Sequence, residues 1–304
     1  MHSTPSIEPA RPDERLAAFR LAFQHLPEEQ RELRVATALD LVRKQGLDPA
    51  GILVARNERA LVGVMLCLPL PGASGLVWPP QVVAGPGSIT IEDQLVQHGM
   101  AWLRQNRAKL AQALLVSSEA PLAAPLERNG FVHVTTLWYF RHHLDRPLPW
   151  RSGSDDLTYQ AYEDDRDLFH DTLLASYEAT KDCPELSGVR DIDEIMEGHR
   201  TQGSHDPERW WLVRKEGRPV GVLLLAELRD SPCWDVAYVG VVAGARRQGL
   251  GRRVMQKALA EARRAGAQQL TLSVDERNRP AWDLYHGLGF EPYDQREVFL
   301  AIWK

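Results

Sequence analysis

The sequence has no apolar run long enough to cross a bilayer. Its greasiest stretch, residues 61–68, stops at Pro69 and Pro71, where about 20 apolar residues would be needed. Cysteine is scarce: Cys67, Cys183 and Cys233 are scattered and form no Cys-x-x-Cys pair. That excludes a disulfide framework and a cysteine-built zinc site. No His-x-x-x-His or His-Glu pattern offers a metal centre, and no Gly-x-Ser-x-Gly turn presents a serine nucleophile. Charge of one sign is also lacking. A net charge of −5 and a pI near 6.1 give no surface for coating nucleic acid. The first residues, Met1-His-Ser-Thr-Pro-Ser-Ile-Glu-Pro, lack the basic-then-apolar order of a signal peptide, so the cytoplasm is the expected compartment. What remains is an ordinary globular composition, 44% apolar and 25% charged, over 304 residues, enough for two domains.

The organisation along the chain is a repeat. Residues 142–156 are rich in Pro, Gly and Ser and read as a linker centred on 146–154, leaving candidate domains at 1–145 and 155–304. In the first, helical spacing covers 13–25, 28–45 and 91–108. Strand patterns cover 52–56, 61–68, 76–83, 113–117 and 135–141, and a short helix ends at Asn129-Gly130-Phe131. In the second, helices are expected at 164–179, 191–201, about 254–265 and 280–287. Strands are expected at 157–161, 210–214, 219–228, 234–242, 270–274 and 298–303. Val82-Val83-Ala84-Gly85 echoes Val241-Val242-Ala243-Gly244 at the matching place.

The most informative stretch is 234–253. A β-branched run (Val236, Val239, Val241, Val242) leads to a turn with Gly249 and Gly251. Val254, Met255, Ala258, Leu259 and Ala262 then keep helical spacing up to Gly266. Strand, glycine turn and helix N-terminus make an anion site, because backbone N–H groups converge there and the helix dipole favours negative charge. Arg246, Arg247, Arg252 and Arg253 add positive charge. It is no nucleotide P-loop, since Arg252-Arg253 stands where Lys-Ser/Thr is required. It is no dinucleotide fingerprint, since Val254 occupies the third glycine position.

Arg246-x-x-Gly249-x-Gly251 resembles the coenzyme A pyrophosphate loop of the GCN5-related N-acetyltransferase (GNAT) superfamily. Downstream, Asn278-Arg-Pro-Ala-Trp-Asp-Leu-Tyr285-His-Gly-Leu-Gly289-Phe290 resembles the Asn…Ala…Tyr…Gly-Phe signature of the same family. The duplicated layout resembles the tandem GNAT proteins, mycothiol synthases among them. The resemblance implies a mixed α/β fold with two tandem GNAT units and acetyl-CoA as co-substrate, without a metal. The two units would pack against each other within the chain. Backbone groups around Gly240, Val241 and Val242 would line the acyl-pantetheine cleft, one N–H polarising the thioester carbonyl. The stretch Gln248–Arg253, with Gly249, Leu250, Gly251 and Arg252 inside it, would hold the pyrophosphate and Asn278 the pantetheine arm. Tyr285 would protonate the departing thiolate. A base for the acceptor amine would be Asp235, its rival Glu227, or a water relay. The acceptor would be a primary amine of a small molecule or peptide, with neither nucleic acid nor membrane as partner. A non-catalytic acyl-CoA sensor is the alternative.

Other features read as structural. Arg263 and Arg264 suit a solvated helix face, and Cys233 a small hydrophobe. Asp182, Glu185, Asp191, Asp193 and Glu194 cluster in the acceptor-side segment 177–209, where carboxylates favour a helix start as well as a cationic ligand. The first half departs from the family. After Val83 come Ala-Gly-Pro-Gly-Ser-Ile-Thr, without arginine, and Leu126 or Glu127 replaces the tyrosine. This half is expected to be a degenerate copy.

Overall fold

The computed structural model describes residues 5–44, 46–58, 60–145, 156–204, 206–229 and 231–303; the expected linker at 146–154 lies outside them. By contacts the chain divides into two units. One is Met1–Val134 with Glu297–Lys304, the other Thr135–Arg296.

The first half runs β1 (Ser6–Pro9), α1 (Arg15–Ala22), α2 (Glu28–Arg43), β2 (Ile52–Asn57), β3 (Ala60–Leu70), β4 (Ser74–Val82), α3 (Ser88–Gln105), β5 (Leu110–Leu115), α4 (Ala124–Arg128) and β6 (Val132–His143). The second repeats the scheme as β7 (Leu157–Ala161), α5 (Arg166–Ser176), α6 (Ile192–Arg200), β8 (Trp210–Lys215), β9 (Arg218–Glu227), β10 (Cys233–Val241), α7 (Leu250–Arg264), β11 (Gln269–Asp275), α8 (Arg279–His286) and β12 (Glu291–Ile302). Both are mixed α/β layouts. β1 and the polar first half of β12 escape the sequence pattern. β1 is four residues ending in Pro9, and Glu291-Pro-Tyr-Asp-Gln-Arg-Glu shows no apolar alternation.

Strand order in the first unit is β1-β2-β3-β4-β5, and in the second β7-β8-β9-β10-β11. All neighbours within each run are antiparallel except β4–β5 and β10–β11, which are parallel. The sixth strand of each unit comes from the other half of the sequence. β6 lies antiparallel on β11, with Leu137 to His143 opposite Asp275 to Gln269. Glu297–Ile302 of β12 lies antiparallel on β5. The two halves exchange their last strands, so neither compact unit coincides with a half of the sequence.

In the second unit the centre of the sheet is covered on both faces. Leu250, Val254, Met255, Ala258, Leu259 and Ala262 of α7 bury one apolar stripe against Leu223, Leu225, Trp234 and Val236. On the other face Phe169 and Leu173 of α5 and Met196 of α6 pack on Trp210, Val222 and Leu224. Burial on both faces explains why β9 reads as the nearly unbroken apolar run Val220–Ala226.

Candidate active site

β10 pairs with β9 along its length but meets β11 only at Cys233, Trp234 and Asp235. Beyond Asp235 the two parallel strands part. A bulge between Val236 and Tyr238 leaves Ala237 as the extra residue, bending β10 at the fork. The Val242 N–H donates to the Val220 carbonyl at 3.0 Å. Because backbone groups alternate along an antiparallel ladder, Gly240 and Val242 turn theirs to β9, whereas Val239 and Val241 turn theirs into the gap. The gap-facing amides are thus those of Val239 and Val241, an offset invisible in the sequence. Gly240 serves through its missing side chain, since a Cβ there would lie 2.4 Å from Ser176 Oγ and 2.7 Å from the Tyr238 ring.

At the mouth of the fork, Gly249 caps α7 with φ +75°, a left-handed conformation that favours glycine. Gly251 sits where a Cβ would meet Leu284 of α8 at 3.3 Å, so its absence lets the two helices approach. Among the described residues, no protein acceptor takes the amides of Gln248, Gly249, Leu250, Gly251 or Arg252, and no side chain caps the helix. Five amides are thus left without a protein acceptor at a helix start, the place where the glycine spacing predicts an anion site. Side chains around it are differently employed. Arg247 is exposed and has no hydrogen-bond or ion-pair partner among the described residues. The Gln248 side chain accepts from Lys215 at 3.4 Å. Arg252 donates to the Gly287 carbonyl at 3.1 Å, and Arg253 pairs with Asp156.

Arg246 is a brace. Its guanidinium donates to the carbonyls of Val241 (3.0 Å), Ser176 (2.9 Å), Glu178 (2.7 Å) and Ala179 (3.3 Å). It therefore ties the end of β10 to the end of α5. The same segment is pinned to β11 further on. Asp275 is buried; its two oxygens accept from Thr135 Oγ1, the Cys183 amide and the Arg277 amide and guanidinium at 2.6–3.1 Å. Arg277 also forks onto Glu185 at 2.7 and 3.0 Å, and Asp182 accepts from the Asp275 amide at 3.0 Å. Residues 176–185 thus strap the open ends of β10 and β11 together. Asp191 and Glu194 form a reciprocal capping box on α6, the helix-start use that their position suggested. Asp182, Cys183 and Asp275 gather their ligand atoms within 4.8 Å, but Arg277 on Asp275 already supplies the cation there.

Burial alone would raise the Asp275 carboxyl, yet its donors hold it at about 2, below the ordinary 3.8. A depressed carboxyl contributes stability that is present above about pH 4 and lost as the pH falls towards 2. Asp275→Asn should cost on the order of 2 kcal/mol at neutral pH. Its deficit relative to wild type should shrink on acidification through that window, as read from thermal melts at a series of pH values.

Of the expected catalytic groups, Tyr285 is buried on α8 against Phe140 and Phe290, with ring centroids 6.4 and 6.0 Å away. Its hydroxyl has no protein partner among the described residues, yet is not among the enclosed unpartnered atoms. Burial, with the charge of Asp182 beside it, pushes the phenol well above its ordinary value. Arg279 and Pro280 open α8, and Gly289, at φ +90°, closes the turn that follows His286. Asn278 caps this helix, accepting from the Ala281 amide at 3.4 Å, so the side-chain N–H2 keeps its donors. Asp235 stands at the fork and accepts from Thr271 Oγ1 at 2.6 Å. Burial raises its carboxyl, with Thr271 opposing. Glu227 is exposed at the end of β9 opposite Trp234, so register turns it to the other face from Asp235.

The first unit repeats the scaffold without these groups. Val83 donates to Val62 as Val242 does to Val220, and Gly87 caps α3 at φ +83°. Four positions separate Val83 from Gly87, against seven from Val242 to Gly249, and the arginine-bearing segment is what is missing. Phe131 bonds back to Leu126 as Phe290 does to Tyr285, which puts Leu126 in the tyrosine's place. Leu76, paired with Gln112, occupies the place of Asp235, and Pro79 and Pro80 remove two amides from the strand. A cavity of about 360 Å³ remains there, lined by Pro80, Val82, Ser88, Leu122, Pro125 and Arg128 among others.

A mixed sheet forked beside a central bulged strand, with an uncapped helix start at its mouth, defines an acyl-CoA transferase of the GNAT type. The family model for the acetyltransferase (GNAT) family matches residues 144–290. A mycothiol acetyltransferase of Thermomonospora curvata is 31% identical over 248 residues, 79% of this chain and 79% of that protein. One from Thermobispora bispora is 32% identical over 183 residues, 58% of this chain and 61% of that protein. The GCN5-related N-acetyltransferase from Sphaerobacter thermophilus has the same fold, with a TM-score of 0.59 at 21% identity, covering 98% of this chain and 95% of that one. The chain belongs to the GNAT family and is an acyl-CoA N-acyltransferase. Among the described residues no helix is long and apolar enough to cross a membrane.

Proposed function

We propose that this protein transfers an acetyl group from acetyl-CoA to a primary amine by direct attack in a ternary complex. The observation that carries the reading is the fork between β10 and β11, with five amides from Gln248 to Arg252 at its mouth that no described residue accepts from, and the Tyr285 hydroxyl available beside it. Those amides fit a pyrophosphate. The unladdered edge of β10 fits a chain carrying its own amides, which adds to a strand edge by backbone hydrogen bonds. Asn278 offers its free N–H2 to the same chain.

The amine nitrogen attacks the thioester carbonyl carbon while the Val239 amide steadies the developing oxyanion. The carbon–sulfur bond breaks, the amine proton passes to Asp235 directly or through water, and Tyr285 supplies the proton that the thiolate takes. Asp235 has the better claim than Glu227 because it stands at the fork, with a carboxyl whose proton affinity burial has raised. Neighbouring burial keeps Tyr285 protonated, as a donor must be.

Calorimetry with acetyl-CoA tests the anion site, and absence of binding would reject the reading. Gly249→Val forces a β-branched residue into the left-handed region at a cost of about 1–2 kcal/mol. It should weaken acetyl-CoA binding about tenfold or more by tilting the loop amides. A thiol-release screen across polyamines, amino acids, aminoglycosides, peptides and mycothiol-related amines, the last because of the relatives' name, identifies the acceptor.

A further inference from the structure

From Asp235 a row of residues crosses the sheet, and beyond that carboxylate the chemistry above leaves it unused. Asp235 on β10 opposes Thr271 on β11, and Thr271 opposes Arg141 on β6. Partners across a sheet share a face, so the three side chains rise together, with Arg141 about 10 Å from Asp235 as two strand spacings require. Tyr139, two residues before Arg141, rises from the same face. Tyr293 of β12 stands against both, its ring centroid 6.3 Å from that of Tyr139 and 5.5 Å from the guanidinium carbon of Arg141. The charge of Asp235 bears on both tyrosines.

Arg141 is half-buried, and its Nε is enclosed without a partner. Among the described residues the whole guanidinium has neither a hydrogen-bond acceptor nor an anion; Tyr293 is its only charge-compensating contact. Arg296, over the ring of Tyr139, is by contrast paired with Asp294. Enclosing the Nε donor without an acceptor is unfavourable, and a planar fork of N–H groups suits two adjacent oxygens. We propose that Arg141 receives a pair of adjacent oxygen atoms, a carboxylate or vicinal hydroxyls, borne on the acceptor molecule whose amine is acetylated beside Asp235. Tyr139 and Tyr293 wall the space between the two ends. The assignment rests on the acetyl transfer proposed above and narrows its substrate class to amines that carry such a group.

The test compares three amines of similar length: a plain alkylamine, one bearing a carboxylate and one bearing a vicinal diol, as an amino sugar does. At least one oxygen-bearing amine should exceed the alkylamine by about tenfold or more in kcat/KM. In Arg141→Gln that ratio should fall towards one, and in Arg141→Lys, which keeps charge without the fork, part of it should return. A merely structural role would depress all three amines together and leave the ratio standing. Which arm shows the advantage tells a carboxylate from a diol. Calorimetry with the N-acetylated products in wild type and Arg141→Gln makes the same comparison without turnover. An alkylamine equal to both others, or a ratio unmoved by Arg141→Gln, would overturn the assignment and leave acetyl transfer intact. Transfer to none of the three, nor to any other amine in the wider screen, would overturn both.

Discussion

Tyr285→Phe protein should bind acetyl-CoA like wild type and turn over about 10²- to 10⁴-fold more slowly, the usual contribution of a positioned general acid. The substitution removes one oxygen and little else. Among the described residues the hydroxyl has no protein partner to strand, and the ring contacts with Phe140 and Phe290 survive, so the melting temperature should stay put. Loss of an interaction made only as the carbon–sulfur bond breaks lowers kcat and kcat/KM together. Burial and the Asp182 charge push the phenol upward, so the acid does not titrate away near neutral pH. Steady-state kinetics beside calorimetry read both halves of the expectation, and an unchanged kcat removes Tyr285 from the chemistry.

Deleting residues 297–304 should abolish the first unit as a folded body, although the first half of the sequence stays wholly intact. Those residues supply the strand that pairs with β5, and Val298, Phe299 and Leu300 on it are only 3–4% exposed. Three such side chains contribute on the order of 5–9 kcal/mol, comparable with the whole stability of a domain. The reciprocal loss follows for residues 155–304 expressed alone. They lack β6, and with it Trp138 and Phe140, whose rings sit 5.2 and 4.8 Å from Trp282 on the helix carrying Tyr285. Limited proteolysis and thermal melts check both. A truncated chain that resists protease across residues 5–134 and melts as wild type would show that the exchanged strand is dispensable.

The elements nearest the chemistry were the most legible. Gly249, Gly251 and the stripe from Val254 to Ala262 mark α7, and the expected helix 280–287 meets α8 within a residue at each end. Those signals are local, set by backbone conformations that few residues tolerate. The exchange of β6 and β12 was not legible, because apolar alternation says that a strand has a buried face and not which edge it joins. The gap-facing amides of Val239 and Val241 depend on a bulge that leaves no mark in a Val-rich run. Arg246 matched its motif position but holds carbonyls, since charge in a sequence does not say what the side chain reaches. Arg141 lies where nothing flagged chemistry, two strands from Asp235 and 94 residues before it.

Strand exchange also sets the order in which the polypeptide can reach its final state during synthesis. The amino-terminal unit is translated first, yet it cannot close until the ribosome has released Glu297–Ile302, which completes it. Until then the β5 edge, Leu-Ala-Gln-Ala-Leu-Leu, presents bare backbone and aliphatic side chains to its surroundings, the kind of surface that pairs with other nascent chains. A unit begun early is thus completed only after most of the second has been made.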